Sequence, residues 1–234
     1  MAIFEGSFRH EAERLIARYP HSRSALLPLL YLAQSAEGHL SREGMQECGE
    51  LLGLTTAEVE SVATFYTMYK PRPTGRWLVS ICTNVSCAVR GGRRLYERAR
   101  DELGPTAEEV SPDGAITLEE VECLGACDAA PVVQVNYCSY DRVGDEELVS
   151  LIERLRNDDP PEPTRGPAPV DHAATSRILA GVGSMTSGGS GAAAAMPDDP
   201  EQGAPAATED APQDGLEGTG PARPAGPEGE DPRA

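Results

Sequence analysis

Aromatic side chains are scarce in this sequence, with one Trp and three Phe among 234 residues, and from Asn157 onward Phe, Trp and Tyr are absent altogether. Thirteen of the twenty prolines and twelve of the twenty-four glycines fall in that last stretch. Such a segment cannot bury enough apolar surface to offset chain entropy. Residues 157–234 are therefore expected to form a disordered acidic tail carrying more than half of the formal net charge of −18. Its weak apolar island, Arg177-Ile-Leu-Ala-Gly-Val182, is read as a solvated patch rather than a docking segment. Basic residues are few, 20 Lys and Arg against 38 Asp and Glu, and form no stripe. That excludes the phosphate backbone of a nucleic acid as a partner. No run reaches the roughly twenty apolar residues of a membrane span, since the best stretch, Ala25 to Ala33, is short and contains Pro28. The N-terminus, Met1-Ala-Ile-Phe-Glu5, lacks the basic-then-apolar pattern of a secretory signal. A reducing cytoplasm is the expected setting, where clustered cysteines mean metal or redox chemistry more often than disulfides.

Histidine is sparse as well. His10 and His21 lie at helix edges, His39 follows Gly38 in a turn, and His172 falls in the tail, so all four are expected at the surface. Gly91-Gly92 is too little for a phosphate loop. Binding of NADH or flavin by this chain alone is not expected.

The first 74 residues carry helical patterning. Phe8, Ala12, Leu15, Ile16 and Tyr19 recur at helical spacing up to Pro20. Ser24 to Glu37 is apolar around so much of its circumference, through Leu26, Leu27, Leu29, Leu30, Leu32 and Ala33, that it should be central to a small bundle. Ser41 can cap a third helix bearing Met45, Cys48, Leu51 and Leu52, and Cys48 is expected as a core thiol. Thr55-x-x-Glu58 is a capping box opening a fourth, through Val59, Val62, Ala63, Tyr66 and Tyr69, stopped by Pro71 and Pro73.

After Gly75 the period changes. Arg76 to Cys82 reads as a buried strand, Leu95, Ala99 and Leu103 as a helix, and Ala115 to Val121 as a second strand after the Asp113-Gly114 turn. Val132 to Val135 forms a third strand, Asn136 to Val143 a turn and a fourth, and Asp145 caps a last helix bearing Leu148, Leu151, Ile152 and Leu155. The fold class expected is α+β: an N-terminal helical bundle over 1–74, a thioredoxin-like α/β domain over 75–156, and the tail over 157–234.

Four cysteines stand at strand ends in this order. Cys82 and Cys87 are spaced Cys-x4-Cys, and Cys123 and Cys127 are spaced Cys-x3-Cys. Structural zinc usually uses tighter Cys-x2-Cys knuckles. A dithiol oxidoreductase needs Cys-x-x-Cys at a helix start. Two ligand pairs on wider loops suit the larger two-iron cluster, so a 2Fe-2S centre on Cys82, Cys87, Cys123 and Cys127 is the favoured reading. Gly125 can turn amide hydrogens toward cluster sulfur, or be only a turn glycine. Glu119, Glu120, Glu122 and Asp128, opposed by Arg90, Arg93 and Arg94, predict a low-potential centre, because one net anion about 8 Å away disfavours an added electron by about 2 kcal/mol at a dielectric near 20. Cys138 is expected as a peripheral free thiol.

Val62-Ala-Thr-Phe-Tyr66, Cys82-Thr-Asn-Val-Ser-Cys87 with Arg90-Gly-Gly92, and Glu122-Cys-Leu-Gly-Ala-Cys-Asp-Ala-Ala-Pro-Val-Val-Gln-Val-Asn136 closely resemble the NuoE-type subunits of respiratory NADH:quinone oxidoreductase (complex I), a thioredoxin-like 2Fe-2S ferredoxin family. The resemblance covers about residues 8–156, and all four cysteine positions match. It implies an electron-transfer subunit with one 2Fe-2S cluster beside a flavin-bearing, NADH-oxidising partner. FMN and NADH are then on the partner, and the chain is peripheral on the inner face of the cell membrane through the complex. The same module recurs in NAD-linked formate dehydrogenases and hydrogenases. In a different class, the domain is a metal-stabilised docking module without obligatory electron transfer. Phe65 and Tyr66 are read as bundle core in preference to partner surface.

Overall fold

A computed structural model of the chain describes residues 3–104 and 110–183. Four helices come first: α1 Gly6–Ile16, α2 Leu26–Glu37, α3 Arg42–Leu52 and α4 Thr56–Phe65. The caps are those the sequence suggests. Ser41 Oγ accepts from Gly44 N at 3.0 Å. Thr55 Oγ1 accepts from Glu58 N while the Glu58 carboxylate accepts from Thr55 N, so each side chain satisfies a free helix-start amide. Helix α2 is central, with Leu26, Leu29, Leu30, Leu32 and Ala33 buried in one core with Ala12, Leu15, Cys48, Leu52, Val59 and Ala63.

Helix α4 is shorter than its apolar pattern suggests. The backbone turns extended at Tyr66, leaving Phe65 77 % exposed and Tyr66 37 % exposed, so neither is the core residue expected. The reason lies in α2. The buried Gln34 amide accepts from Lys70 N at 2.7 Å and donates to Met68 O, giving the unwound chain partners that a longer helix would have supplied. Tyr69 stays buried, its hydroxyl donating to Leu27 O at 2.9 Å.

The second part is a four-stranded mixed sheet in the order β2-β1-β3-β4. Strand β1 is Trp77–Cys82, β2 Ile116–Val121, β3 Val132–Val135 and β4 Cys138–Asp141. Between β1 and β2 lie a short helix α5, Val85–Val89, and α6, Gly92–Leu103; α7, Asp145–Arg156, follows β4. Its cap position is Gly144, with Asp145 as first helical residue. Strands β1 and β2 run parallel, and β3 is antiparallel to both β1 and β4. Because strand side chains alternate between faces, Trp77, Val79, Ile81, Ile116, Leu118, Val133 and Val135 pack with Leu95, Ala99, Leu148 and Ile152 of α6 and α7. Cys82, Ser80, Val121, Glu119 and Val132 therefore occupy the opposite face. There the segment after α4 crosses, Lys70 pairing with Glu119 and Gly75 N donating to Thr117 Oγ1.

Residues 157–183 depart from the disordered tail expected to begin at Asn157. Tyr140 Oη donates to Pro161 O, Thr164 N to Ser139 O, and Asn136 Nδ2 to Val170 O. Asp171 then caps a further helix, α8, His172–Leu179, which packs on α2. Ser176 Oγ accepts from the buried Gln34 amide at 3.1 Å, and Arg177 reaches Glu11 at 2.6 Å and lies over the Phe8 ring. The apolar island thus orders against this chain's own bundle. His172, expected at the surface, is 2 % exposed, with Nδ1 3.0 Å from Thr74 Oγ1. The tail reading for residues 184–234 falls outside the described residues.

Candidate metal centre

Strand β1 delivers Cys82 at its carboxyl end, and the chain turns at Asn84, whose side chain accepts from Val85 N at 2.6 Å to start α5. Cys87 sits on α5, and Cys82 and Cys87 are 3 % and 2 % exposed. Gly92 closes the turn. A Cβ there would lie 2.5 Å from Cys82 O and 2.9 Å from Cys87 O, so only glycine lets α6 start against this loop.

The parallel neighbour β2 ends at Val121, paired with Cys82. It feeds the second loop, where Cys123 and Cys127 stand exposed with their sulfurs 3.8 Å apart. Gly125 adopts φ +72° and directs its amide hydrogen at Cys123 Sγ, 3.5 Å away, as its place in the motif suggests. The Cys82 thiol donates to Glu122 O at 2.7 Å, tying the loops together. Ala126, Ala130 and Val132 form an apolar wall with Cys82 and Cys87.

The site thus holds one buried thiol pair and one exposed pair. Burial pushes the Cys87 thiol up to about 11, helped by its hydrogen bond with Cys82 and by the nearby Cys127 sulfur. Without a metal this thiol is protonated at neutral pH, and a cation must displace the proton to bind. Among the described residues, no three His, Cys, Asp or Glu side chains converge on one point at single-ion distance. The donor set is four sulfurs in two pairs, which fits two irons each held by a pair.

The remaining cysteines stay apart. Cys48 is fully buried in the bundle, and burial, then the Glu47 charge, pushes its thiol well above the usual range. Cys138 is half-buried on β4, its nearest partner being Asn136 O at 3.9 Å. The two surface grooves border α7 and contain none of the six cysteines.

The charge balance differs from the one the sequence suggests. Glu119 is met by Lys70 and by Ser80 Oγ, while Arg94 faces Asp145 at 3.2 Å. Lys70 was not singled out by sequence reasoning. Its signal was that it is the chain's one lysine, lodged between a helix and a pair of prolines.

Residues 12–156 match the model of the thioredoxin-like [2Fe-2S] ferredoxin family. The NuoE-type subunit of the NADH-quinone oxidoreductase of Mycobacterium tuberculosis is 48% identical over 172 residues, covering 74% of this chain and 68% of that one. Subunit 2 of the Thermus thermophilus NADH-quinone oxidoreductase is 38% identical over 146 residues, covering 62% of this chain and 76% of that one. Among solved structures, a chain of an air-oxidized NAD+-reducing [NiFe]-hydrogenase shares the fold, with a TM-score of 0.50 at 20% identity over 56% of this chain and 23% of that one. On the family match over residues 12–156 and the four strand-end thiols, this chain belongs to the thioredoxin-like [2Fe-2S] ferredoxins.

Proposed function

We propose that this chain is the electron-transfer subunit of an NADH:quinone oxidoreductase and that Cys82, Cys87, Cys123 and Cys127 hold its one 2Fe-2S cluster. The observation that carries the reading is the pairing of the thiols. Two parallel neighbouring strands end in register, Cys82 opposite Val121, and present one buried and one exposed sulfur pair to a common space. The identity to the corresponding mycobacterial subunit supplies the parent complex.

When bound, such a cluster takes up and releases one electron. The chain's own residues do the rest. Ala126, Ala130 and Val132 keep water from the buried pair, and the Gly125 amide directs a hydrogen bond at Cys123 sulfur, which favours the reduced, more negative state. The exposed Cys123 and Cys127 turn one edge of the site outward, where a flavin-bearing, NADH-oxidising subunit would exchange the electron. FMN and NADH belong to that partner, and the membrane is reached only through the complex.

Anaerobic isolation of the full chain from cells that make it, followed by addition of NADH, tests this. A flavoprotein should co-purify, and NADH should bring up the paramagnetic signal of the reduced cluster. Flavin bleaching by NADH with no cluster signal would instead make the domain a docking module.

A further inference from the structure

Among the described residues, Lys70 and Glu119 are the one ion pair with both side chains largely buried on the cysteine-bearing face of the sheet. They are 15% and 21% exposed, and the pair joins the segment leaving the bundle to β2. The ammonium also donates to Thr67 O at 2.9 Å, and the carboxylate accepts from Ser80 Oγ. Register places the pair. Glu119 lies opposite Ser80, and the next residues on the same face are Val121 and Cys82. Two residues of strand span about 7 Å, so both charges sit roughly that far from the buried sulfur pair, inside protein rather than across solvent. Tyr137 and His172 lie within electrostatic range of the same pair. Salt screens such charges far less than exposed ones.

We propose that Lys70 and Glu119 set the reduction potential of the centre held by Cys82 and Cys87, acting as a matched pair whose opposite charges cancel at the site. This rests on the assignment of the cluster to the four cysteines. Reduction adds one electron, and neither Lys70 nor Glu119 gains or loses a proton in it. While both are present their fields nearly offset one another. Removing either leaves an uncompensated charge of known sign beside the centre.

Full chain loaded with its cluster under anaerobic conditions should be poised at a series of potentials with dithionite and followed by paramagnetic resonance. Glu119→Gln keeps the shape and a hydrogen bond to Ser80 but leaves the ammonium alone. It is expected to raise the reduced-to-oxidised ratio at fixed potential at least tenfold, an upward shift of about 59 mV for one electron. Lys70→Met, measured at pH 8 to keep Glu119 ionised, is expected to move the ratio several-fold the opposite way. The double variant should return near the starting value, and Lys70→Arg should leave it unchanged.

A purely structural staple would lower the stability of both single variants and move both potentials in the same direction, or by less than twofold, and either result overturns the proposal. If Lys70→Met loses its cluster, the sign of the Glu119→Gln shift decides alone, since a fall or no change is fatal. Absence of any cluster from the unaltered chain would instead sink the ligand assignment itself.

Discussion

Cys123 Sγ stands 3.8 Å from Cys127 Sγ, held across Leu124-Gly125-Ala126 by the left-handed turn at Gly125. A disulfide needs about 2.05 Å, so the pair presents two separate sulfurs to one ion. An added Cβ at Gly125 meets open space, but at φ +72° it carries backbone strain of about 1–2 kcal/mol. Gly125→Ala should therefore leave the fold intact and release the cluster faster, read as loss of visible absorbance over time after exposure to a chelator.

Gly92→Ala should do more damage. The new methyl would meet the carbonyls of both Cys82 and Cys87, which are backbone and cannot swing aside. Overpacking of this kind costs about 1–3 kcal/mol. A lower urea midpoint together with reduced iron content is the expected result.

The six cysteines should divide four and two. Cys48→Ser and Cys138→Ser are expected to keep the full iron content, because neither sulfur lies with the other four. Serine at 82, 87, 123 or 127 should lose or alter the cluster spectrum. Loss should be deeper at Cys82 and Cys87, where the replacement is buried.

Much of this was legible in the sequence because it depends on local periodicity and caps. Ser41, the Thr55 and Glu58 box, and the strand ends at Cys82 and Val121 all stand where pattern and turn chemistry put them. Helix α8 was not. Its eight residues are mostly small and sit in a stretch whose average composition is that of a disordered tail. The clue lay elsewhere, in α2, which is apolar around most of its circumference and also buries Gln34 and Ser35, a surface that needs a cover on every side. The early end of α4 was hidden for a similar reason. The partners that let the chain unwind at Tyr66 come from Gln34, about thirty residues away, and no local pattern reports them.

Asn136 fastens that cover to the sheet. Its side chain accepts from Leu78 N at 2.8 Å and donates to Arg76 O at 3.1 Å and Val170 O at 2.7 Å, all from a residue 2 % exposed. Asn136→Ala strands three backbone groups, each worth about 1 kcal/mol or more when left unpaired. A loss of about 3 kcal/mol in urea unfolding is expected.

His172 makes the same region sensitive to acid. Burial, followed by the nearby Lys70 charge, lowers its pKa below the ordinary 6.5. The unfolded chain then binds the proton more readily than the folded one, so stability is full above about 6.5 and falls as the pH drops from there toward the depressed value. Unfolding curves at pH 8 and pH 5.5 should differ more for the unaltered chain than for His172→Gln, which has no proton to take up.

Iron and acid-labile sulfide analysis of the anaerobically purified full chain, with paramagnetic resonance before and after dithionite, tests the central claim most directly. The account predicts two irons and two sulfides per chain, silent when oxidised and giving a single one-electron signal when reduced. One zinc with no sulfide would contradict it.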